Sequence, residues 1–245
     1  MRRHSAQYLP FDDAAKIVNQ RLGVQLHLPP MTIKAVFFDV GETLIDESRD
    51  WGGWADYLGV SRLSFFATLG AVIERGEHHR TVFKVVRPGI EFSELHRQRG
   101  MQGEVYSITP DDFYPDAIPC LTRLRNDGVL IGIAGNQPLE AEQALRTLGV
   151  PADIVASSAS WHVEKPASEF FERVIAATNG LAPSEIAYVG DRLDNDIEPA
   201  LRAGMVPVFI RRGPWAHVQS ASRRFQVPPH IIDELTSLPQ LLRGL

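Results

Sequence analysis

Apolar residues along this chain fall into short continuous runs, each followed by a stretch of helical period. The first run is Ile33–Phe38, closed by Asp39 and Gly41. Val129–Ala134 is entered through the turn pair Asp127-Gly128 and ends at Gly135-Asn136. Asp153–Ala156 follows Pro151, Ile186–Val189 ends at Gly190-Asp191, and Val206–Ile210 is the fifth; Ile231-Ile232 adds an edge. Runs of this length without alternation read as strands buried on both faces. Amphipathic helices are predicted between them at Pro115–Asn126, Leu139–Leu148, Pro166–Thr178 and Asn195–Ala203. Strands alternating with helices build βαβ units, so the fold class is α/β with a doubly wound parallel sheet. Such sheets bind ligands beyond the carboxyl ends of their strands. Asp39, Asn136 and Asp191 each close an apolar run, which puts them there.

One interval breaks the rhythm. Residues 47–112 hold aromatic-rich helical material and no clear strand, too long a connection to lack structure of its own. It is expected to be a small helical cap inserted after the first strand, with Trp51, Trp54, Phe65 and Phe66 mostly in its core. His78-His79-Arg80 reads as a solvated helix face. The predicted organisation is a core domain over 32–46 and 113–245, a cap over 47–112 and an extension over 1–31. Phe11–Gly23 can form an amphipathic helix, set apart by Pro29-Pro30. The basic segment from Arg211 to Arg224 is expected as an exposed loop.

Composition narrows the functional classes. At 245 residues the chain can hold a core domain and a smaller insert, and 44% hydrophobic with 22% charged residues is ordinary for a globular protein. A net charge of -5 argues against a broad nucleic-acid surface. The single cysteine, Cys120, lies in an apolar stretch and is expected as a buried small residue. The first residues are basic but lack an apolar signal region, and no run approaches the roughly 20 apolar residues that span a bilayer. The expectation is a soluble cytoplasmic protein without membrane or nucleic-acid partners. A homodimer through the cap or the N-terminal helix is left open.

The acids carry the chemistry. Asp39 precedes a turn with Gly41 and Thr43; VGDRLDND puts Asp191 after one strand and Asp196 at the next helix start. One aspartate at such a place reads as a helix cap. Three at separate strand ends repel one another and call for a cation, and oxygen donors with open positions suit Mg²⁺. Lys165, just before Pro166, can hold a phosphoryl oxygen and balance the acids. The Gly135-Asn136 turn offers backbone amides to an anion.

VFFDVGETLID, GIAGNQ, EKPASEFF and VGDRLDNDIEPALRAGM resemble, in this order, the four motifs of the haloacid dehalogenase-like hydrolases. The resemblance runs from about Ile33 to Leu242. It implies a Rossmann-like sheet with a cap, and Mg²⁺-requiring phosphoryl transfer through an aspartyl phosphate. Asp39 is then the nucleophile and Lys165 stabilises charge. Thr43 positions the phosphoryl group, Asn136 binds one of its oxygens, and Asp191 binds the metal. Asp196 binds the metal directly, through water, or orients Lys165, and the Gly41 carbonyl completes the metal shell. The substrate implied is a small phosphorylated metabolite.

Two positions depart from the pattern. The family's phosphatases usually carry an acid–base aspartate two residues after the nucleophile, where this chain has Gly41. Loss of such a group costs roughly 10²–10⁴-fold on alkyl phosphates. Asp46, Glu74, His78 and His79 are candidate replacements. Gly135 stands where the family usually has Ser or Thr, removing one hydroxyl contact. Three readings stay open: a Mg²⁺-dependent phosphatase, a dehalogenase whose halide leaves unprotonated, and a non-catalytic phosphate-binding or regulatory protein.

Overall fold

Alternation along the central strand sorts the core into two layers. The computed structural model describes residues 33–245 apart from 104 and 227, so the extension and its expected helix at Phe11–Gly23 lie outside the described residues. Six strands form one sheet: β1 (Ala35–Phe38), β2 (Leu130–Gly135), β3 (Ile154–Ser157), β4 (Ile186–Gly190), β5 (Val206–Ile210) and β6 (Ile231–Ile232). Their order is β3-β2-β1-β4-β5-β6, with every pairing parallel. The expected doubly wound sheet is what forms, with strand ends moved by one or two residues.

Eleven helices accompany these strands among the described residues. Four lie in the insert that follows β1: α1 (Ser48–Tyr57), α2 (Arg62–Glu74), α3 (Thr81–Val86) and α4 (Phe92–Met101). The others are α5 (Ala117–Asn126), α6 (Leu139–Thr147), α7 (Ser158–Trp161), α8 (Ser168–Ala177), α9 (Glu198–Arg202), α10 (Gly213–Ala221) and α11 (Leu238–Arg243). Successive strand residues face opposite sides. Ala35, Phe37, Ile186 and Tyr188 therefore pack on Phe170, Phe171 and Val174 of α8. Val36, Phe38, Ala187 and Val189 pack on Cys120, Leu121 and Leu124 of α5 and on Leu238 of α11. Cys120 is buried as expected, and burial pushes its thiol up to about 12.

Close packing explains a small residue in β2. Gly132 pairs with Phe37 of β1, and a β-carbon there would run into the Phe37 ring, which is fully buried. Gly132→Ala should therefore cost about 1–3 kcal/mol, the usual range for overpacking a core. Chemical denaturation would check this; an unchanged midpoint would mean the ring can shift freely.

The helical insert has its own core. Trp54, Phe65, Leu69, Phe83 and Leu95 bury one another, joined by Trp215 from α10. Its two ends are tied together: the Asp46 amide donates to the Asp112 carbonyl at 2.8 Å, and Arg49 meets the Asp112 carboxylate at 2.5 Å.

Three expectations need correction. The segment after β5 is not an exposed loop. Pro214 sits in the first turn of α10, and Trp215, Ala216 and Gln219 are buried. Arg212 before it is also buried, paired with Asp116 at 2.6 Å. His78-His79-Arg80 is a turn rather than a helix face, and His79 packs edge-on against Trp51 and Trp215. The helix expected from Asn195 opens as one π-helical turn, Leu193–Ile197, before α9. Such turns are frequent at functional sites.

Candidate active site

The sheet order places β1 between β2 and β4, so three strand ends meet. Phe38 is level with Ile133 and Val189, and the Asp39 amide donates to the Val189 carbonyl at 2.9 Å. Asp39 thus emerges between the Gly135-Asn136 turn and the Gly190-Asp191 turn. After it the chain folds tightly, with the Leu44 and Ile45 amides donating to the Val40 carbonyl at 2.9 and 3.0 Å. Glu42 takes a φ of 52° within this turn. That left-handed conformation costs a side-chain-bearing residue about 1–2 kcal/mol. Two hydrogen bonds to its carboxylate offset this, from the Tyr114 hydroxyl at 2.6 Å and the Glu47 amide at 3.2 Å.

Lys165 reaches the centre from the loop before α8. Asn136 holds that loop: its Oδ1 accepts from the Lys165 amide at 2.7 Å and its Nδ2 donates to the Lys165 carbonyl at 2.9 Å. Both polar atoms of the Asn136 side chain are therefore engaged in placing the lysine. The ammonium lies 2.7 Å from Asp39 Oδ1 and 2.6 Å from Asp196 Oδ1, with the Phe170 and Tyr188 rings beside it. Burial alone would push its pKa down. The two contacting carboxylates outweigh that and hold it well above its ordinary value.

The acids converge as their strand-end positions imply. Oxygens of Asp39, Asp191 and Asp196 lie within 4.8 Å of one another, all three residues buried. Asp196 Oδ2 accepts from the Arg192 amide at 3.0 Å, so both oxygens of Asp196 are occupied, one by Lys165. Asp191 Oδ2 is buried with no partner among the described residues. Burial, then the charges of Asp196 and Asp39, push Asp191 well above the ordinary carboxylate range; Asp196 is also raised, chiefly by burial. Among the described residues only Lys165 pairs with these acids, so three ionised carboxylates here would leave negative charge uncompensated. Oxygen-only donors, one of them an orphan, fit a small hard cation such as Mg²⁺. Asp39 keeps 11% of its side chain exposed against 1% for Lys165, so it is the member that solvent reaches.

The remaining predicted residues fall nearby. The Thr43 hydroxyl is buried without a partner among the described residues. A side chain at Gly135 would collide with Asp39 Oδ1, so the nucleophile candidate itself occupies the room a hydroxyl there would take. Gly41 faces the carboxyl of Glu47, a residue the sequence reading passed over. Burial first, then the charge of Glu42, pushes Glu47 up to about 8. No local signal marked it; only the space beside Gly41 does. Of the candidate replacements for the acid, Asp46 accepts from the Ser48 amide at 2.8 Å ahead of α1, and Glu74 is exposed at the end of α2. Burial, with help from the charges of His78 and Arg192, pushes His79 down to about 3, leaving it a neutral imidazole without the acidic imidazolium proton at neutral pH.

The sequence pattern of the haloacid dehalogenase-like hydrolases matches residues 33–204, well over half the chain. The chain belongs to this family. It is therefore a hydrolase. A glyceraldehyde 3-phosphate phosphatase of Methanopyrus kandleri is 38% identical over 235 residues, covering 87% of this chain and 98% of the relative. A phosphatase of the same family from Thermococcus onnurineus superposes with a TM-score of 0.55 at 24% identity, over 86% of this chain and 98% of that one. An L-2-haloacid dehalogenase from Xanthobacter autotrophicus, with chloropropionic acid covalently bound, gives 0.58 at 20% identity over 87% and 99%. One fold thus serves a phosphatase and a dehalogenase, and the choice between them rests on site chemistry. No described helix is long and apolar enough to cross a membrane.

Proposed function

We propose that this hydrolase is a Mg²⁺-dependent phosphatase of small phosphorylated metabolites, with Asp39 as nucleophile. The observation that carries the reading is the excess of buried negative charge beside a reachable Asp39. Halide displacement has no use for a cation there, whereas phosphoryl transfer needs one to offset the charge it brings in. The 38% identity to a glyceraldehyde 3-phosphate phosphatase supports the same choice and makes that three-carbon phosphate the first substrate to test.

In this reading Asp39 attacks phosphorus, the ester P–O bond breaks, and an aspartyl phosphate forms; water then attacks its phosphorus and restores the carboxylate. Splitting one displacement into two is the gain from covalent catalysis. Lys165 spends two of its three N–H donors on Asp39 and Asp196, keeping the third for a phosphoryl oxygen. The unpartnered Thr43 hydroxyl and the backbone of the Gly135-Asn136 turn hold other oxygens. Mg²⁺, held by Asp39 and Asp191, would neutralise phosphoryl charge. Asn136 positions the lysine, and the helical insert serves as the cap over the site.

Phosphate release from glyceraldehyde 3-phosphate and from an aryl phosphate, with and without Mg²⁺ and beside 2-chloropropionate, tests this. Turnover of the phosphates only with Mg²⁺ is expected, and Asp191→Asn should weaken calorimetric Mg²⁺ affinity at least about 10-fold. Metal-independent halide release would sink the reading in favour of a dehalogenase. Silence on all three compounds would favour a binding role.

A further inference from the structure

The alcohol of an alkyl phosphate departs slowly unless a proton donor can reach its oxygen, because an alkoxide is a strongly basic leaving group at neutral pH. Most polar groups around Asp39 already have other work. Lys165 is clamped between two carboxylates, and Asp196 has both oxygens occupied. Glu42 takes hydrogen bonds from Tyr114 and the Glu47 amide, and Asp46 takes the Ser48 amide. Glu47 is different. Its carboxyl fills the volume that a side chain at position 41 would need, two residues beyond Asp39: the Glu47 Cδ atom would lie 2.6 Å from a β-carbon built on Gly41. The Trp51 indole N–H donates to its Oε2 at 3.1 Å, which leaves Oε1 as the oxygen nearest Gly41. Trp51 is itself wedged among Phe65, Phe83, His79 and Trp215, so the insert and α10 together aim this carboxyl.

We propose that Glu47 is the general acid–base of the reaction, delivered from the start of the insert into the space that Gly41 leaves open. This rests on the phosphatase reading above. As Asp39 bonds to phosphorus and the ester bond breaks, Glu47 gives its proton to the departing oxygen, which leaves as the alcohol. Glu47, now a carboxylate, accepts a proton from the water that attacks the aspartyl phosphate. Inorganic phosphate and the Asp39 carboxylate result, and Glu47 is again protonated. Glycine at 41 is then a requirement, since any side chain there would displace the acid. Gly41→Asp alone is expected to bring no gain on alkyl phosphates, because it evicts Glu47 in supplying a carboxyl.

Leaving-group dependence provides the test. With Mg²⁺ present, Glu47→Gln should keep aryl phosphate turnover within about 3-fold, since a phenolate leaves without help, and lose roughly 10²–10⁴-fold on an alkyl phosphate. A purely structural role for Glu47 would lower both alike. Equal losses on the two esters, or no loss on either, would overturn the proposal while leaving the phosphatase reading standing. Silence of the wild-type protein on both esters would overturn the phosphatase reading itself and this one with it. Should Glu47→Gln fail to fold, the double variant Gly41→Asp/Glu47→Ala carries the same test: alkyl turnover at least 10 times that of Glu47→Ala supports a carboxyl requirement at this place, and none above Glu47→Ala refutes it.

Discussion

Asp39→Asn should lower Mg²⁺-dependent phosphate release by at least about 10⁴-fold while leaving the fold intact. Asparagine keeps the shape of the side chain but cannot form an aspartyl phosphate. The structure also says why the variant should survive. Asp39 is one of three clustered buried carboxylates, two of which contact the Lys165 ammonium, and Lys165 retains Asp196 at 2.6 Å when Asp39 is neutral. Removing one of three like charges relieves repulsion, so the melting temperature without metal should hold within about 2 °C or rise. Aryl phosphate is the substrate of choice for the measurement because its leaving group needs no proton, isolating the nucleophile from Glu47. Turnover retained by a clean, folded Asp39→Asn preparation would remove Asp39 from the role.

The sequence made much of this arrangement readable, for a physical reason. Strands buried on both faces appear as apolar runs, and in a parallel sheet their ends carry the site. Asp39, Asn136 and Asp191 were therefore placed by the runs they terminate, before any side-chain geometry. Residues that act by filling space were hidden. Glu47 lies in a polar stretch, DESRD, where nothing distinguishes a buried carboxyl from a solvated one. Its burial follows from an absence, the missing side chain of Gly41, and from Trp51 one helical turn later. The α10 segment was obscured in a similar way. Arginines and serines around GPWAHVQSA advertise a loop, while the buried set Trp215, Ala216 and Gln219 becomes a face only when the insert supplies its other half. Asn136 shows a third kind of limit: its position was legible, but its two bonds to the Lys165 backbone are long-range contacts that no local pattern encodes.

Lys165→Met should be the most destabilising single change at the site. The methionine has nearly the length of lysine and suits the Phe170 and Tyr188 rings, so packing is not what is lost. What is lost is the one cation that contacts these acids among the described residues, paired with Asp39 and Asp196. Breaking a buried pair by removing one partner costs about 3–5 kcal/mol, because the stranded charge has neither water nor a counterion. In a domain of this size that lowers the melting temperature by roughly 6–20 °C. The deficit has a definite pH sign. Aspartates held above their unfolded pKa bind more protons in the folded state, so stability falls as pH rises from the ordinary carboxylate range toward their raised folded values. Without its ammonium the variant should show a steeper fall than the wild type and be nearest to it in acid. A divalent cation can replace part of the missing charge, so saturating Mg²⁺ should raise the variant's melting temperature more than the wild type's. Thermal scans of both proteins in EDTA and in Mg²⁺, at acidic and neutral pH, measure all of this together. A variant as stable as wild type at neutral pH in EDTA would mean that the three carboxylates are not held together against their charge, and the case for a cation at this site would fall with it.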